Sequence, residues 1–231
     1  LACVTGVQTC ALPISMRQTV RRCLEHGVAI GAHPGLPDLA GFGRREMAVT
    51  AEEVHDMVLY QVGALSAFVK AEGGVLSHVK PHGALYNMAA KNRKLADAIA
   101  QAVHKLDASL ILYGLSQSEL IRAGERIGLR CANEVFADRT YQADGSLTPR
   151  HVEGAVIEDA SEAANQVVHM IERGTAPTAE GQLVPIQADT VCLHGDGSHA
   201  VQFARTITDE LMKRGCQIKS LRARQSEHPA P

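Results

Sequence analysis

Residues 75–83, VLSHVKPHG, join a short apolar run to a lysine, a proline, a histidine and a glycine. The run is typical of a β-strand, and Pro81 ends it because proline has no N–H to donate and its φ is fixed. Such a strand carries Lys80 and His82 to its carboxyl end, where α/β folds place their chemistry. Taken alone, the segment fits equally well a loop with a surface lysine and a hydrogen-bonded histidine.

The composition is typical of a globular protein that buries a sizeable core: the 231 residues are 45% apolar and 21% charged. A formal charge of −2, with no basic stripe among aromatic residues, predicts that nucleic acid is not a partner. No apolar run is long enough to cross a bilayer, so we expect no membrane partner. The six scattered cysteines form no CxxC pair, which favours reduced thiols in a cytoplasmic protein.

Apolar, strand-like runs alternate with amphipathic helical stripes along most of the chain. The runs that predict strands are 28–32, 75–79, 109–113, 129–136 and 189–193. A capping box at Thr50–Glu53 opens the longest predicted helix, and the HVKPHGALYN segment is predicted to be a loop. The alternation predicts a parallel sheet of five strands with helices packed outside it. Right-handed crossovers then bring all strand carboxyl ends to one face.

The two ends of the chain differ from this pattern. Residues 1–15 lack periodicity and the charge of a signal peptide, and they resemble translated adapter or vector sequence. We therefore expect one catalytic domain at residues 16–219 and a disordered tail at 220–231. Residues 216–221, at the junction of the two, are strand-like in sequence. No GxGxxG follows a strand and no GxxxxGK[ST] occurs, so no nucleotide site is predicted in this chain.

Ionisable side chains recur just after the predicted strands, and we expect them to line a common cavity. They are His33; Lys80 and His82; Asp138 and Arg139; and His194 and Asp196, with Glu134 near the end of its own strand. A histidine beside a carboxylate can move protons near neutral pH. The cations, with Arg44 or Arg45, can hold an anionic substrate or a developing oxyanion. Arg44 and Arg45 are equally compatible with a solvated loop.

A divalent metal site is the competing interpretation of the same residues, because His, His and Asp are ordinary metal ligands. The chain has no closely spaced HxH or HExxH motif that would favour it.

Several blocks of the sequence resemble the LamB/YcsF family. They are GVAIGAHPG at 27–35, PDL at 37–39, GFGRR at 41–45, YQVGAL at 60–65, HVKPHGALYN at 78–87, EVFADR at 134–139 and CLHGD at 192–196. The resemblance implies a seven-stranded, deacetylase-like β/α barrel. Two strands with which this barrel usually opens are missing from the sequence, so the resemblance predicts an N-terminally truncated barrel of about five parallel strands and outer helices.

Bacterial members of that family are the A subunit of ATP-dependent 5-oxoprolinase. The resemblance therefore implies cleavage of 5-oxo-L-proline (pyroglutamate), a small lactam, to L-glutamate. The reaction would be coupled to ATP hydrolysis and would need subunits B and C, which bring the ATP. The alternatives are a metal-dependent polysaccharide-deacetylase-like amide hydrolase and a catalytically inactive fragment that only binds partners.

The resemblance also suggests roles for the strand-end residues. His82 or His194 would be the general base for water, with Asp196 or Asp138 orienting it. Lys80 and Arg139 would bind the substrate carboxylate or a phosphate. The remaining candidates for substrate binding are His33, Arg45 and Glu134.

Overall fold

The computed structural model describes residues 13–195 and 200–221. Its contacts divide these residues into two compact units. The first unit contains residues 13–114, 118–132 and 219–221, and the second contains 115–117 and 133–218, outside the gap at 196–199. The single catalytic domain expected at residues 16–219 stays a prediction.

The described residues form seven helices and seven strands. The helices are α1 Pro13–Glu25, α2 Ala51–Ala71, α3 Gly83–Lys91, α4 Arg93–Leu106, α5 Glu119–Arg126, α6 Ala160–Arg173 and α7 Ala200–Lys213. The strands are β1 Ile30–Ala32, β2 Leu76–Val79, β3 Ile111–Leu115, β4 Arg130–Phe136, β5 Thr175–Pro177, β6 Leu183–Pro185 and β7 Thr190–Cys192.

Five of the strands form one sheet in the order β1-β2-β3-β4-β7. In the first unit β1 pairs with β2 and β2 with β3, both in parallel. Strand β4 begins in the first unit, and its second half pairs in parallel with β7 in the second unit. The predicted α/β class with five parallel strands is therefore confirmed. Strands β1, β2 and β3 are buried along their whole length, as strands covered on both faces must be.

The core of the first unit lies between its strands and helices α2 and α4. Helix α2 buries an apolar stripe that includes Val54, Val58 and Leu65. The capping box at its start is confirmed: the Glu53 N–H donates to Thr50 Oγ1 at 3.2 Å, and the Thr50 N–H donates to Glu53 Oε2 at 2.7 Å. Helix α2 thus packs against β1 and β2, the strands that precede His33 and Lys80.

Two expectations about secondary structure were wrong, and one pair of strands was not predicted. The segment predicted as a loop after Pro81 becomes helix α3, whose Ala84 N–H donates to the Gly43 carbonyl at 2.9 Å. The connector after α6 contains the antiparallel pair β5 and β6, whose three-residue strands are too short to show a period of two. Residues 216–221 form no strand.

Helix α1 begins at Pro13 and so includes three residues of the segment expected to be foreign to the fold. Proline is well tolerated there because the first helical N–H has no partner within the helix. The disordered tail was predicted for residues 220–231, of which 222–231 lie outside the described residues. Within the described residues, no helix combines the length and the apolar character needed to span a bilayer.

Candidate functional site

In the first unit, His33 after β1 and His82 after β2 lie against each other. His33 Nδ1 is 2.6 Å from the Lys80 carbonyl oxygen, and His33 Nε2 is 2.9 Å from His82 Nδ1. His82 Nε2 is 2.7 Å from the carbonyl oxygen of Phe42. All four ring nitrogens of the two histidines are therefore in hydrogen-bonding contact.

Small residues around His82 make this arrangement possible. A Cβ on Gly35 would lie 3.3 Å from the His82 Cβ, and one on Gly43 would lie 3.0 Å from its Cδ2. Gly43 also has φ of +67°, a conformation that glycine adopts at little cost. The glycines of the AHPG and GFGRR blocks therefore let two backbone segments pack directly on the imidazole.

Gln61 of helix α2 holds the segment that follows His33. The Gly35 N–H donates to Gln61 Oε1 at 2.9 Å, and Gln61 Nε2 donates to the Gly35 carbonyl at 2.8 Å. The Gln61 side chain is buried, so these bonds are shielded from water. Gln61 was not among the predicted site residues, although a glutamine inside an apolar helical stripe is a visible signal in the sequence.

The 36–47 loop carries an ion pair that holds its two ends together. Arg45 donates to Asp38 from Nε at 3.0 and 3.1 Å, and its Nη2 also donates to that carboxylate. The Arg45 hydrogen bond is the main reason why the pKa of Asp38 falls to about 2. Arg45, predicted to bind substrate, thus has two donors committed to Asp38. Phe42, between them, has φ of +55°, which is uncommon for a residue with a side chain.

Lys80 is buried beside the histidine pair, with its Nζ 5.7 Å from the centroid of the Tyr86 ring. Burial lowers the pKa of His33 well below its usual value, and the charges of Lys80 and His82 lower it further. The first unit therefore brings His33, Lys80 and His82 together, as the sequence predicted. Their surroundings favour neutral His33 and concentrate positive charge at the carboxyl ends of β1 and β2.

In the second unit, His194 and Asp138 form a histidine–carboxylate pair. His194 Nδ1 is 3.0 Å from Oδ1 and 2.8 Å from Oδ2 of Asp138. The backbone N–H of His194 also donates to Asp138 Oδ2, at 3.4 Å. Burial raises the pKa of Asp138, but hydrogen bonds from His194 outweigh burial and the net shift is downward. The carboxylate therefore stays ionised and keeps the proton of His194 on Nδ1, leaving Nε2 as the basic nitrogen.

Arg139 follows Asp138 but points its donors at the protein backbone. Its Nε donates to the Ala155 carbonyl at 3.2 Å, and its Nη2 donates to the Thr148 carbonyl. Only 5% of Arg139 is exposed. Its substrate-binding role stays a prediction, and the contacts seen here support the 140–155 loop.

Glu134 is buried in β4, with Thr190 of β7 as its register partner. The segment after β4 is also held by Gln166, which the sequence analysis missed. Its buried Nε2 lies 2.9–3.2 Å from the carbonyl oxygens of Phe136, Ala137 and Arg139. Like Gln61, Gln166 is a polar residue within the apolar stripe of a helix, and it fixes backbone that carries a candidate site residue.

The structure thus forms two clusters from the predicted residues. One cluster is His33, Lys80 and His82, and the other is Asp138 and His194. Asp196, predicted to be an alternative partner for the base, lies outside the described residues, and the common cavity stays a prediction. Within residues 13–195 and 200–221, no three His, Cys, Asp or Glu side chains are grouped to hold a metal ion.

Comparison with known proteins gives one consistent result. A model of the LamB/YcsF family matches residues 7–226. The chain is 62% identical over 210 residues to a Geobacillus kaustophilus protein named as the A subunit of 5-oxoprolinase, across 91% of this chain and 82% of the relative. It is 56% identical over 214 residues to the protein of that name from Bacillus subtilis, across 93% and 83% of the two chains.

A solved structure agrees with these relatives. The lactam utilization protein from Thermus thermophilus superimposes with a TM-score of 0.85 at 44% identity, covering 91% of this chain and 84% of that one.

Proposed function

The chain belongs to the LamB/YcsF family, and from this premise we propose that it acts as the A subunit of a 5-oxoprolinase, which opens 5-oxo-L-proline to L-glutamate. The observation that carries the proposal is the 62% and 56% identity to relatives that bear this subunit's name. Both alignments cover more than four-fifths of the relative, so they include most of the protein to which the name belongs.

The chemistry explains why ATP and further subunits belong to the proposal. An unstrained lactam resists attack by water because its nitrogen donates electrons to the carbonyl. Phosphorylating the carbonyl oxygen turns that oxygen into a leaving group. Since this chain has no nucleotide-binding motif, we assign activation to subunits B and C with their ATP. The present chain then directs water to the carbon, the C–N bond breaks, and the nitrogen takes up a proton. The product of this step is an acyl phosphate, and its hydrolysis by a second water molecule releases inorganic phosphate and leaves the carboxylate of glutamate.

The general base in this proposal is His194. Its Nδ1 is held by Asp138, so Nε2 can accept a proton from water while the carboxylate stabilises the imidazolium that forms. His82, the other candidate, has both ring nitrogens in hydrogen-bonding contact with His33 and Phe42. The geometry therefore supports His194 for this role.

The finer fold prediction belongs to the same proposal. We propose that the five parallel strands are part of a seven-stranded, deacetylase-like barrel that works in the cytoplasm. The parallel pairing and the match to the Thermus thermophilus structure support the barrel. The scattered cysteines without a CxxC pair favour the cytoplasm. A metal-dependent hydrolase is the alternative, but no three donors of the described residues are grouped to hold a metal.

The test is an assay of this chain with its two partner subunits, ATP and 5-oxoproline, measuring glutamate and ADP. We expect glutamate formation that depends on all three subunits. His194→Gln should lower kcat by about 100-fold or more, the usual loss when a general base is removed. His151→Gln, which changes an exposed histidine of the same unit, is the control. Lactam opening without ATP, or unchanged kcat in His194→Gln, would contradict the proposal.

A further inference from the structure

The contacts of His33 and His82 require more protons than two neutral imidazoles carry. A carbonyl oxygen can only accept a hydrogen bond. His33 Nδ1 must therefore carry a proton that it donates to the Lys80 carbonyl. In the same way, His82 Nε2 must carry a proton that it donates to the Phe42 carbonyl. The 2.9 Å contact between His33 Nε2 and His82 Nδ1 needs a third proton, because otherwise two lone pairs would face each other. Two neutral rings supply only two.

We propose that His33 and His82 share three ring protons and act as one fixed cation, which attracts the anionic group of a ligand to the carboxyl ends of β1 and β2. The proposal rests on the proposed function for the identity of that ligand, because 5-oxoproline carries a carboxylate. Within the reaction the two histidines are positioning residues. Their N–H groups are used by the protein, and their charge acts on the ligand through space.

The surroundings decide where the extra proton resides. The charged and titratable groups that act on His33 are Lys80, His82 and His78, and all of them disfavour a charge on that ring. Burial disfavours it as well. In the proposed pair the additional proton is therefore assigned to His82, whose Nε2–H donates to the Phe42 carbonyl.

Among the described residues, charged side chains near His82 come from the 36–47 loop and from the position directly after β2. Arg44 packs its Cγ 3.4 Å from the position of a Cβ on Gly83, next to His82. Asp38 in the same loop is engaged by Arg45. Lys80, the residue that follows β2, adds its own positive charge, which also acts on His33. The imidazolium thus adds to existing positive charge, which suits recognition of an anion.

The shared proton also joins the loop to the strand ends. The line of contacts runs from the Phe42 carbonyl through both rings to the Lys80 carbonyl. Removing one proton leaves one of the three contacts without a hydrogen. Neither ring offers a free lone pair in this state, so the pair cannot accept a proton from water.

Imidazole nitrogen NMR on the chain labelled with ¹⁵N-histidine, after treatment with a chelator, tests the charge directly at pH 7. We expect one ring with both nitrogens protonated, and we expect His82→Gln to remove that signal while His104→Gln, on the exposed face of α4, leaves it. Two neutral rings at these positions would overturn the proposal. So would a tightly held metal ion, found by elemental analysis before chelation, that takes the place of the middle proton.

Kinetics of the complex with subunits B and C separate a fixed charge from a base. For His82→Gln we expect KM for 5-oxoproline to rise about ten-fold, as loss of one nearby charge predicts, with kcat changed much less and its pH profile retained. A collapse of kcat with loss of one limb of the pH profile and unchanged KM would overturn the proposal. If the unmodified complex has no lactam activity, the proposed function fails, while the NMR result still decides the charge state.

Discussion

The imidazole of His78 lies directly against Gly31 of the neighbouring strand. A Cβ built on Gly31 would overlap His78 Nε2, so only glycine leaves room for the ring in this position. The ring also stacks on Tyr113, with the centroids 4.4 Å apart and an interplanar angle of 18°. His78 is fully buried, and neither ring nitrogen has a hydrogen-bond partner among the described residues. A polar side chain thus occupies a position that packing alone maintains.

Gly31→Ala should destabilise the protein because the new methyl group must displace His78 or separate β1 from β2. Overpacking of this kind costs about 1–3 kcal/mol. Gly63→Ala is the matched control, since a Cβ there meets no atom within 4 Å and the residue lies inside α2. It should stabilise the protein by about 0.5–1 kcal/mol. Urea unfolding of both variants measures the difference, and equal midpoints would contradict the packing argument.

His78→Phe should flatten the dependence of stability on pH below neutrality. Burial, followed by the charge of Lys80, lowers the pKa of His78 from its usual 6.5 to about 4. Between these values the unfolded chain binds the proton and the folded protein does not, so the free energy of unfolding falls as pH falls. The unmodified protein should lose on the order of 3 kcal/mol more than the variant between pH 7 and pH 4.

Denaturant titrations at several pH values measure this slope. Comparing slopes rather than absolute stabilities removes the constant effect of the larger phenyl ring. His104→Phe, at an exposed position, should keep the slope of the unmodified protein. Identical slopes for His78→Phe and the unmodified protein would show that His78 is not the group responsible.

Gln61→Ala should destabilise the protein by about 2 kcal/mol, since it leaves both backbone groups of Gly35 buried without the side-chain partners they now have. The activity of the variant that remains folded should also fall, because Gly35 packs on His82 and a shift of Gly35 would move that ring. Gln101→Ala, at an exposed position of α4, provides the comparison. Thermal unfolding with the coupled lactam assay checks both effects. A Gln61→Ala variant with unchanged Tm would mean that another group holds Gly35.

Asp38→Asn should remove part of the acid sensitivity of the fold. The pKa of Asp38 is lowered from 3.8 to about 2, chiefly by the hydrogen bond from Arg45. A carboxyl with a depressed pKa stabilises the fold above its unfolded pKa, and that contribution is lost as pH falls from about 4 toward 2. The variant should be less stable than the unmodified protein at pH 6, with the gap closing near pH 2. Asp209→Asn, on the exposed side of α7, should show no such convergence in Tm.

Local patterns in the sequence were sufficient for most of the scaffold. The stripe of α2 and its capping box at Thr50 follow from contacts within one or two turns, which sequence spacing specifies. The five apolar runs predicted the five parallel strands for a similar reason, because strands buried on both faces must be apolar. The candidate site residues after β1, β2, β4 and β7 were predicted from the residues that follow each apolar run, and their chemical roles stay predictions.

What the sequence by itself determined is therefore which residues lie at the strand ends, since that depends on neighbours in the chain. Only the tertiary structure decided what each residue touches there. His82 meets the carbonyl of Phe42, 40 positions away, and Asp138 meets His194, 56 positions away. Arg139, one residue after Asp138, instead contacts the backbone. A hydrogen bond forms only when the donor–acceptor distance between two segments is correct to within a few tenths of an ångström. The spacing of residues in the sequence does not encode distances with that precision.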